Sequence, residues 1–295
     1  MRITQKILYD QARSSIQKNQ RKLVETQEQL STGLRINRPS DDPTGAARAA
    51  RLQQTLARIT QFQRNADQAQ TCLDATETAL TSVESDVTSV QNLVIEQLSG
   101  TQSETSTQAA ISELKQLRSS ILSSMNAKQD GKYLFSGFQP RTAAFDDGGA
   151  FQGTSGQSLE IEIADGDYLA MNTMGDAAFV DSASGQSPVQ MIDDAIANLE
   201  NGDTTSLRNQ LPEIGDMLSQ VTNAITDVGA RGNRLSAAQD DNLTLQTTTQ
   251  SVLANVQDAD TATTATQYSA ASTALQAALE SSAKMIQTNI LDFLR

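Results

Sequence analysis

The sequence predicts a mainly α-helical protein with a small β-rich insert, in which both chain halves form one elongated antiparallel coiled-coil-like helical rod. Apolar residues recur every seven positions in two long stretches on either side of the middle of the chain, a spacing typical of helices that pack along a seam. Between these stretches lies a segment rich in aromatic residues and glycine. Aromatic residues are only 4% of the 295 residues and Trp is absent, which argues against a thick, rounded core.

The first predicted segment, residues 1–43, is an assembly helix followed by a linker. Its apolar stripe has a spacing of seven residues and consists of Tyr9, Ile16, Leu23 and Leu30. The stripe is narrow, and a single helix with so little apolar surface is marginal in water. We therefore expect this helix to pair with the other chain end or with another subunit. The alternative is that both ends simply extend one intramolecular bundle.

The second segment, residues 44–130, is predicted to form the N-terminal half of the rod. Asp42 can cap the free amides of a helix whose first turn holds Pro43, and a metal-binding or catalytic role is disfavoured because no third ligand or base lies nearby. A helix from Gly45 to Ser99 would be ~80 Å long at 1.5 Å per residue. Its seam residues are Leu52, Ile59, Ala66, Leu73, Leu80, Val87 and Val94. A second helix is predicted to follow and to end at Asp130–Gly131.

The third segment, residues 131–186, is predicted to be a β-rich outer domain. It contains seven of the eleven aromatic residues of the chain. The run KYLFSGF at 132–138 alternates in polarity and predicts a strand that enters a turn. Further on, alternating apolar residues before Asp165–Gly166 predict a β-hairpin. The aspartate clusters lack the spacing of a calcium-binding loop, so they indicate turns.

The fourth segment, residues 187–255, is predicted to form the C-terminal half of the rod. Ser187 followed by Pro188 is a helix-start signal. The second seam then consists of Leu207, Ile214, Val221, Val228 and Leu235. Pro212 is expected to kink or restart this helix. Beyond Leu235 the same register meets Asn242 and Thr249, so the seam becomes polar.

The last segment, residues 256–295, is predicted to be a second assembly helix. Its apolar residues are Leu275, Leu279, Ile286, Ile290 and Phe293. Because one heptad stretch lies on each side of the β-rich insert, the simplest closure is antiparallel. A chain whose two ends both carry narrow apolar stripes is suited to self-assembly.

Composition excludes several functional classes. The net charge is −13, and from Thr142 to Leu207 there are twelve acidic residues and no basic one, which argues against nucleic-acid binding. There is no His, so the commonest general base and metal ligand is missing. Cys72 is the single cysteine and predicts neither a disulfide nor a zinc site.

These absences predict no enzyme, and no catalytic, cofactor-binding or metal-binding residue. The sequence also lacks a phosphate-binding loop motif. No stretch approaches the ~20 apolar residues of a membrane span, so membrane insertion is not expected. The first ten residues hold no apolar signal region, so we expect no cleaved secretory signal.

Two segments resemble the bacterial flagellin superfamily. The run LSTGLRINRPSDDPTGAARAARL at 30–52 resembles its N-terminal signature, and residues 256–295 resemble its C-terminal region. Within the superfamily, RINRPSDDP at 35–43 and KYLFSGFQP at 132–140 are most similar to the branch that forms the hook–filament junction. The resemblance covers residues 1–140 and about 190–295, and the β-rich insert matches only in size and position.

The resemblance implies a structural subunit of the bacterial flagellum that connects hook and filament. It implies that the terminal helices form the inner layer of a hollow axial tube, with the heptad helices outside them and the acidic insert facing solvent. The implied partners are other copies of the chain, a neighbouring hook-associated protein, flagellin, and an export chaperone at the C-terminal helix. The implied location is extracellular, after type III export. Two alternatives remain open: a short flagellin of the filament itself, and an intracellular coiled-coil scaffold.

Overall fold

A computed structural model describes residues 2–99, 103–156, 158–181 and 184–293 of the chain. The side chains of residues 2–5, 8 and 285–293 lie outside this description. The protein is mainly helical, and its long helices flank a small β-rich region. The helices are α1 Arg2–Thr32, α2 Pro43–Leu98, α3 Glu104–Met125, α4 Gly175–Phe179, α5 Pro188–Asn201, α6 Thr204–Gln257 and α7 Thr261–Phe293. The strands are β1 Lys128–Gln129, β2 Lys132–Tyr133, β3 Glu160–Ala164 and β4 Asp167–Ala170.

The chain forms two compact units. Residues 1–58 and 245–295 form one, called here the terminal unit, and residues 59–244 form the other, the central unit. Helices α2 and α6 each contribute residues to both units. For this reason the two units cut across the five segments predicted from the sequence.

In the central unit, α2 and α6 run antiparallel along a continuous apolar seam. Thr222 of α6 donates to the Glu84 carboxylate of α2 at 3.0 Å, and Gln239 of α6 donates to the Asp67 carboxylate of α2 at 3.3 Å. The later residue of α6 thus contacts the earlier residue of α2, as expected for antiparallel helices. The buried seam residues are Ile59, Leu73, Leu80, Val87, Val94, Leu207, Ile214, Val221, Val228 and Leu235. Leu52 lies in the terminal unit and is only partly buried.

The break expected at Pro212 is not a restart, because α6 continues through this residue. A proline removes one backbone hydrogen bond of the helix, but the seam residues Leu207 and Ile214, which lie before and after Pro212, are both buried and hold the helix in place.

Asp203 caps the start of α6 by accepting from the Ser206 amide at 3.0 Å.

Helices α3 and α5 pack closely in the central unit and carry an ion pair. Arg118 donates from Nε and Nη2 to both carboxylate oxygens of Asp193, at 2.6 and 2.8 Å, and from Nη2 to the Asp147 carbonyl at 2.6 Å. These hydrogen bonds to Asp193 raise the pKa of Arg118 above its ordinary value. Arg118 therefore neutralises part of the acidic stretch that has no basic residue of its own.

The second predicted helix ends earlier than expected. α3 ends at Met125, and Asp130–Gly131 form instead the turn between β1 and β2, both residues with positive φ. The reason is tertiary: the Asn126 side chain accepts from the Phe145 amide at 3.0 Å and donates to its carbonyl at 2.9 Å. These bonds hold the helix end against the loop that follows β2.

The β-rich region contains two antiparallel hairpins. Pairing of β3 with β4 confirms the hairpin predicted around Asp165–Gly166. The predicted strand across KYLFSGF is wrong beyond Tyr133, where β2 ends. The chain turns at Gly137, which has φ 67°, and a Cβ there would lie 2.6 Å from the Thr154 carbonyl oxygen. This turn leaves Phe135 fully buried, with its ring centroid 4.8 Å from that of Phe179.

Two asparagines join the long helices to β3. Asn65 of α2 donates to the Glu162 carbonyl, and Asn242 of α6 donates to the Ile163 carbonyl, each at 2.8 Å. Ile163 lies at an irregularity in the pairing of β3 with β4. A bulge leaves a backbone group outside the ladder, so the polar seam position Asn242 supplies a hydrogen bond that an apolar residue could not.

Candidate assembly surface of the terminal helices

The two chain ends pair with each other in the terminal unit. α1 and α7 pack closely, and Asn19 of α1 donates to the Ala274 carbonyl of α7 at 3.3 Å. Leu34 forms an antiparallel bridge with Asp258, so the helices run in opposite directions. The buried residues of α1 and α7 among the described side chains are Thr26, Thr264 and Ala271, and all three are small. Small residues allow the backbones to approach, but they bury little apolar area.

The helix break between α1 and α2 meets the break between α6 and α7. The Arg35 and Ile36 amides donate to the Gln257 carbonyl at 2.7 and 3.3 Å, and the Ala259 amide donates to the Gly33 carbonyl at 2.9 Å. The Arg35 guanidinium also donates to the Val256 carbonyl at 2.7 Å. These bonds fix the RINRPSDD loop to the C-terminal half of the chain.

Two acidic residues hold this loop in shape. Asp41 accepts from the Asn37 and Arg38 amides at 3.1 and 2.8 Å. Asp42 lies just before α2, and its Oδ1 accepts from the Gly45 amide at 2.9 Å, which is helix-capping geometry. This hydrogen bond has the largest effect in lowering the pKa of Asp42 below its usual value, and the bond from the Thr44 hydroxyl has the second largest.

A second capping residue, Asp260, was not among the residues predicted from the sequence. Its side chain accepts from the Ala262 and Thr263 amides at 3.0 and 3.3 Å and from the Thr263 hydroxyl at 2.8 Å. These hydrogen bonds lower the pKa of Asp260, and the bond from the Thr263 hydroxyl has the largest effect. The available signal was an Asp directly before a helical run of Thr and Ala, which is a common helix start.

The terminal unit has almost no apolar core of its own. Among its described side chains, Ile36 is the single large apolar residue that is buried, at 5% exposure. The contiguous buried core of the protein lies entirely within the central unit. Large apolar side chains of the terminal unit are instead exposed, namely Ile7, Tyr9, Val24, Leu30, Leu245 and Leu279.

The residues predicted for assembly divide into three groups. Ile16, Leu23 and Leu275 are partly buried. Tyr9, Leu30 and Leu279 are 42%, 39% and 49% exposed. Ile286, Ile290 and Phe293 lie outside the described side chains. The described part of the stripes therefore divides into partly buried and exposed side chains.

Among the described residues there is neither a metal-binding cluster nor a cysteine with a lowered pKa. These residues hold no group of three or more His, Cys, Asp and Glu side chains that could bind a metal ion. Cys72 is partly buried, and burial raises the pKa of its thiol, so it is a weak nucleophile at neutral pH. Within the same part of the chain, no helix has the length and apolar content to cross a membrane.

Long helices on either side of a small β-rich region, with chain ends that pair and leave large apolar side chains exposed, define a mainly helical protein with coiled-coil-like packing. The model of the bacterial flagellin N-terminal helical region matches residues 3–139, and that of the C-terminal helical region matches residues 211–294. The two matches together span about three quarters of the sequence. The chain belongs to the bacterial flagellin family.

Flagellar proteins are among the known proteins with similar sequences and structures. Flagellar hook-associated protein 3 of Salmonella typhimurium is 26% identical over 167 residues, which are 56% of this chain and 53% of that protein. The match thus spans about half the length of this relative. A solved structure assigned as a flagellar hook-associated protein from Vibrio parahaemolyticus has a TM-score of 0.68 and 26% identity, covering 74% of this chain and 100% of that one.

A further solved structure shares the fold. The flagellar junction protein FlgL from Legionella pneumophila has a TM-score of 0.59 at 17% identity, with 70% of this chain and 100% of that one covered. At this identity the likeness concerns the fold alone.

Proposed function

We propose that this protein is a structural subunit of the bacterial flagellum that forms the junction between hook and filament. The observation that carries the proposal is the terminal unit, which pairs the two chain ends, buries a single large apolar side chain among those described and exposes others. Burial of apolar area is the main stabilising contribution to folding and association. Because the terminal unit buries so little apolar area, it is stabilised most when further copies of the chain cover its exposed apolar side chains.

The packing of α1 against α7 supports a layered tube. Exposed side chains such as Tyr9, Leu30 and Leu279 would contact the terminal helices of neighbouring copies and form an inner layer around the axis. Helices α2 and α6 would form the next layer outward. The acidic β-rich region would face solvent, which its charge favours.

The partners are other copies of this chain in the ring or tube, a neighbouring hook-associated protein on one side, and flagellin on the other. Before assembly, an export chaperone binds the C-terminal helix along the stripe from Leu275 to Phe293. Export uses the flagellar type III apparatus, and the protein is extracellular at the hook–filament junction. The single cysteine is compatible with passage of an unfolded chain, because no disulfide has to form or break.

The role at the junction is mechanical, and we assign no catalytic activity to the protein. A curved hook and a stiff filament have different lattices, so a connecting ring must fit both. The terminal helices of this chain can keep a common tube geometry, while contacts of the outer residues differ on the two sides. The small size of the β-rich insert favours a ring component over a bulk filament subunit.

Electron microscopy with gold-labelled antibody against residues 140–190 tests the proposal on whole cells. The expected result is label confined to one band where the hook meets the filament. Label along the entire filament would identify a short flagellin instead. Absence of label from every appendage, with the protein inside the cell, would indicate a coiled-coil scaffold and refute both flagellar roles.

A further inference from the structure

The central unit is strongly acidic but carries one small basic surface. It holds nine Lys and Arg against twenty-six Asp and Glu, which gives a net charge of −17. Three of the nine basic residues, Lys128, Lys132 and Arg141, lie within fourteen residues that contain a single acidic one, Asp130. All three basic side chains are exposed. These three residues and Phe138 are called here the basic patch.

The β1–β2 hairpin and the turn that follows it bring the basic patch together. The Tyr133 amide donates to the Pro140 carbonyl at 2.8 Å, which places β2 beside the segment that leads into Arg141. Lys128 pairs with Tyr133 across the hairpin, and its ammonium lies 4.3 Å from the centre of the Tyr133 ring. Lys132 directly precedes Tyr133 in β2. The three cations therefore lie on neighbouring segments of one small region.

These cations are not neutralised by carboxylates of their own chain. Other basic residues of the central unit form ion pairs with acidic residues, namely Lys115, Arg118, Arg231 and Arg234. Within the part of the chain that the structure describes, Lys128, Lys132 and Arg141 form no such pair. Three exposed cations in a unit with this excess of negative charge are therefore available to carboxylates from outside.

Phe138 adds an apolar contact to these charges. Its side chain is 48% exposed, whereas the nearby Phe135 is fully buried. Aromatic residues and arginine are enriched at protein–protein interfaces. An exposed aromatic ring beside cations thus favours an acidic protein surface as the partner, because a free anion would leave the ring in water.

The matching acidic surface is present on the chain itself. Directly after Arg141, residues 142–207 contain twelve acidic residues and no basic one. Within this acidic stretch, Glu160 is exposed and forms no ion pair among the described residues. Opposite charges on two surfaces attract and set the orientation of the contact, whereas two acidic surfaces repel each other.

We propose that the basic patch of one copy contacts the acidic stretch of a neighbouring copy of this chain. The contact joins two different surfaces, so it can repeat from copy to copy and close into a ring. It involves the central unit alone and does not rest on the terminal helices or on a place in the flagellum. Exposed charge pairs contribute little each, so in the free protein a Kd on the order of 1 mM is expected.

Cross-linking of the full chain with a carbodiimide, which couples lysine amines directly to carboxylates, tests the contact. Equal amounts of unlabelled and ¹⁵N-labelled protein are mixed at about 1 mM, cross-linked, digested and examined by mass spectrometry. A cross-linked peptide pair with one label on each peptide comes from two copies. The expected result is mixed-label pairs that join Lys128 or Lys132 to a carboxylate within residues 142–207. Absence of such pairs, or mixed-label pairs from these lysines only to carboxylates elsewhere, would overturn the proposal.

A charge reversal shows whether the basic patch makes the contact. Arg141→Glu replaces an attraction by a repulsion and should lower the yield of the mixed-label pairs about fivefold. Arg64→Glu is the matched control, because Arg64 is an exposed basic residue of α2 outside the patch, and its yield should stay unchanged. A yield that is unchanged in Arg141→Glu, or equally lowered in Arg64→Glu, would refute the patch as the contact surface.

Salt gives a second measurement that needs no variant. At 1 M salt the Debye length falls to about 3 Å, so the yield of mixed-label pairs from the wild-type chain should fall as in Arg141→Glu. A yield that does not depend on salt would overturn the electrostatic contact, even if Arg141→Glu does not fold.

Discussion

Gly45 lies at the third residue of α2, where the loop between α1 and α2 closes on the helix. A Cβ at this position would lie 2.6 Å from Ile36 Cδ1 and would also collide with the Asp42 carboxylate. Ile36 is the one large apolar residue that is buried among the described side chains of the terminal unit, and Asp42 accepts from the Gly45 amide. Gly45→Ala therefore disturbs the packing and the cap of the loop at once.

The size of the effect follows from two opposing contributions. Alanine stabilises a helix interior by about 1 kcal/mol relative to glycine. Forcing a methyl group into a filled site costs about 1–3 kcal/mol, and displacement of Asp42 adds to this loss. The local structure should therefore be destabilised by about 1–2 kcal/mol, which is a factor of roughly 5–30 in the equilibrium between closed and open loop.

Hydrogen exchange measured by mass spectrometry checks this value. The amides of Arg35 and Ala46 donate within this junction, to Gln257 and Asp42 at 2.7 and 2.8 Å, and both should exchange faster by roughly that factor. Gly232→Ala in α6 is the control, because nothing lies within 4 Å of its added Cβ. There the substitution should slow exchange or leave it unchanged. Exchange that is equal or slower in Gly45→Ala would refute the argument.

Leu279→Asp should block incorporation into flagella and leave the circular dichroism of the monomer unchanged. Gln276→Asp is the control, because Gln276 is also exposed on α7, and this variant should assemble. Normal incorporation of Leu279→Asp would contradict the proposed assembly surface. Brief proteolysis of the monomer should remove both chain ends before it cuts the central unit, and equal protection of the ends would contradict a marginal terminal unit. The hydrogen bonds of its cap, from the Thr263 hydroxyl first, hold the pKa of Asp260 below its ordinary value, so its capping stability is present above the ordinary pKa and is lost as the pH falls through the lower pKa of the folded state. An NMR titration of Asp260 should show a lower midpoint than that of an aspartate without such hydrogen bonds, and Asp260→Asn should abolish this contribution to the pH dependence of stability. Asn242→Leu leaves a β3 carbonyl without its donor and should cost about 1–3 kcal/mol in denaturant unfolding, so an unchanged midpoint would show that the hydrogen bond contributes nothing.

Much of the central unit could be predicted from the sequence, because its seam follows the helical period. The apolar residues at every seventh position from Ile59 to Val94 and from Leu207 to Leu235 are all buried. The start of α5 could also be predicted from the sequence, since Ser187 and Gln190 form a capping box. In both cases the signal depends on residues close together in the chain.

The departures from prediction arise where distant segments meet. The end of α3 depends on Asn126 bonding Phe145, and the turn after Tyr133 depends on Gly137 approaching Thr154. Likewise, Asn242 is a polar residue in an otherwise apolar seam, and only the structure shows that its side chain donates to the Ile163 carbonyl of β3. No periodicity in the sequence reports such pairs, because the residues are 17 to 79 positions apart.

By itself, the sequence determined the helical class, the two heptad seams, the place of the β-rich insert and the resemblance to flagellin, since each rests on local spacing or a contiguous motif. Only the tertiary structure decided that the RINRPSDD loop is bound to Gln257 and that the terminal unit buries little apolar area. The physical reason is that burial and hydrogen-bond satisfaction are properties of neighbours in space. A stripe of apolar residues shows which side of a helix can pack, but not how much of it a given partner covers.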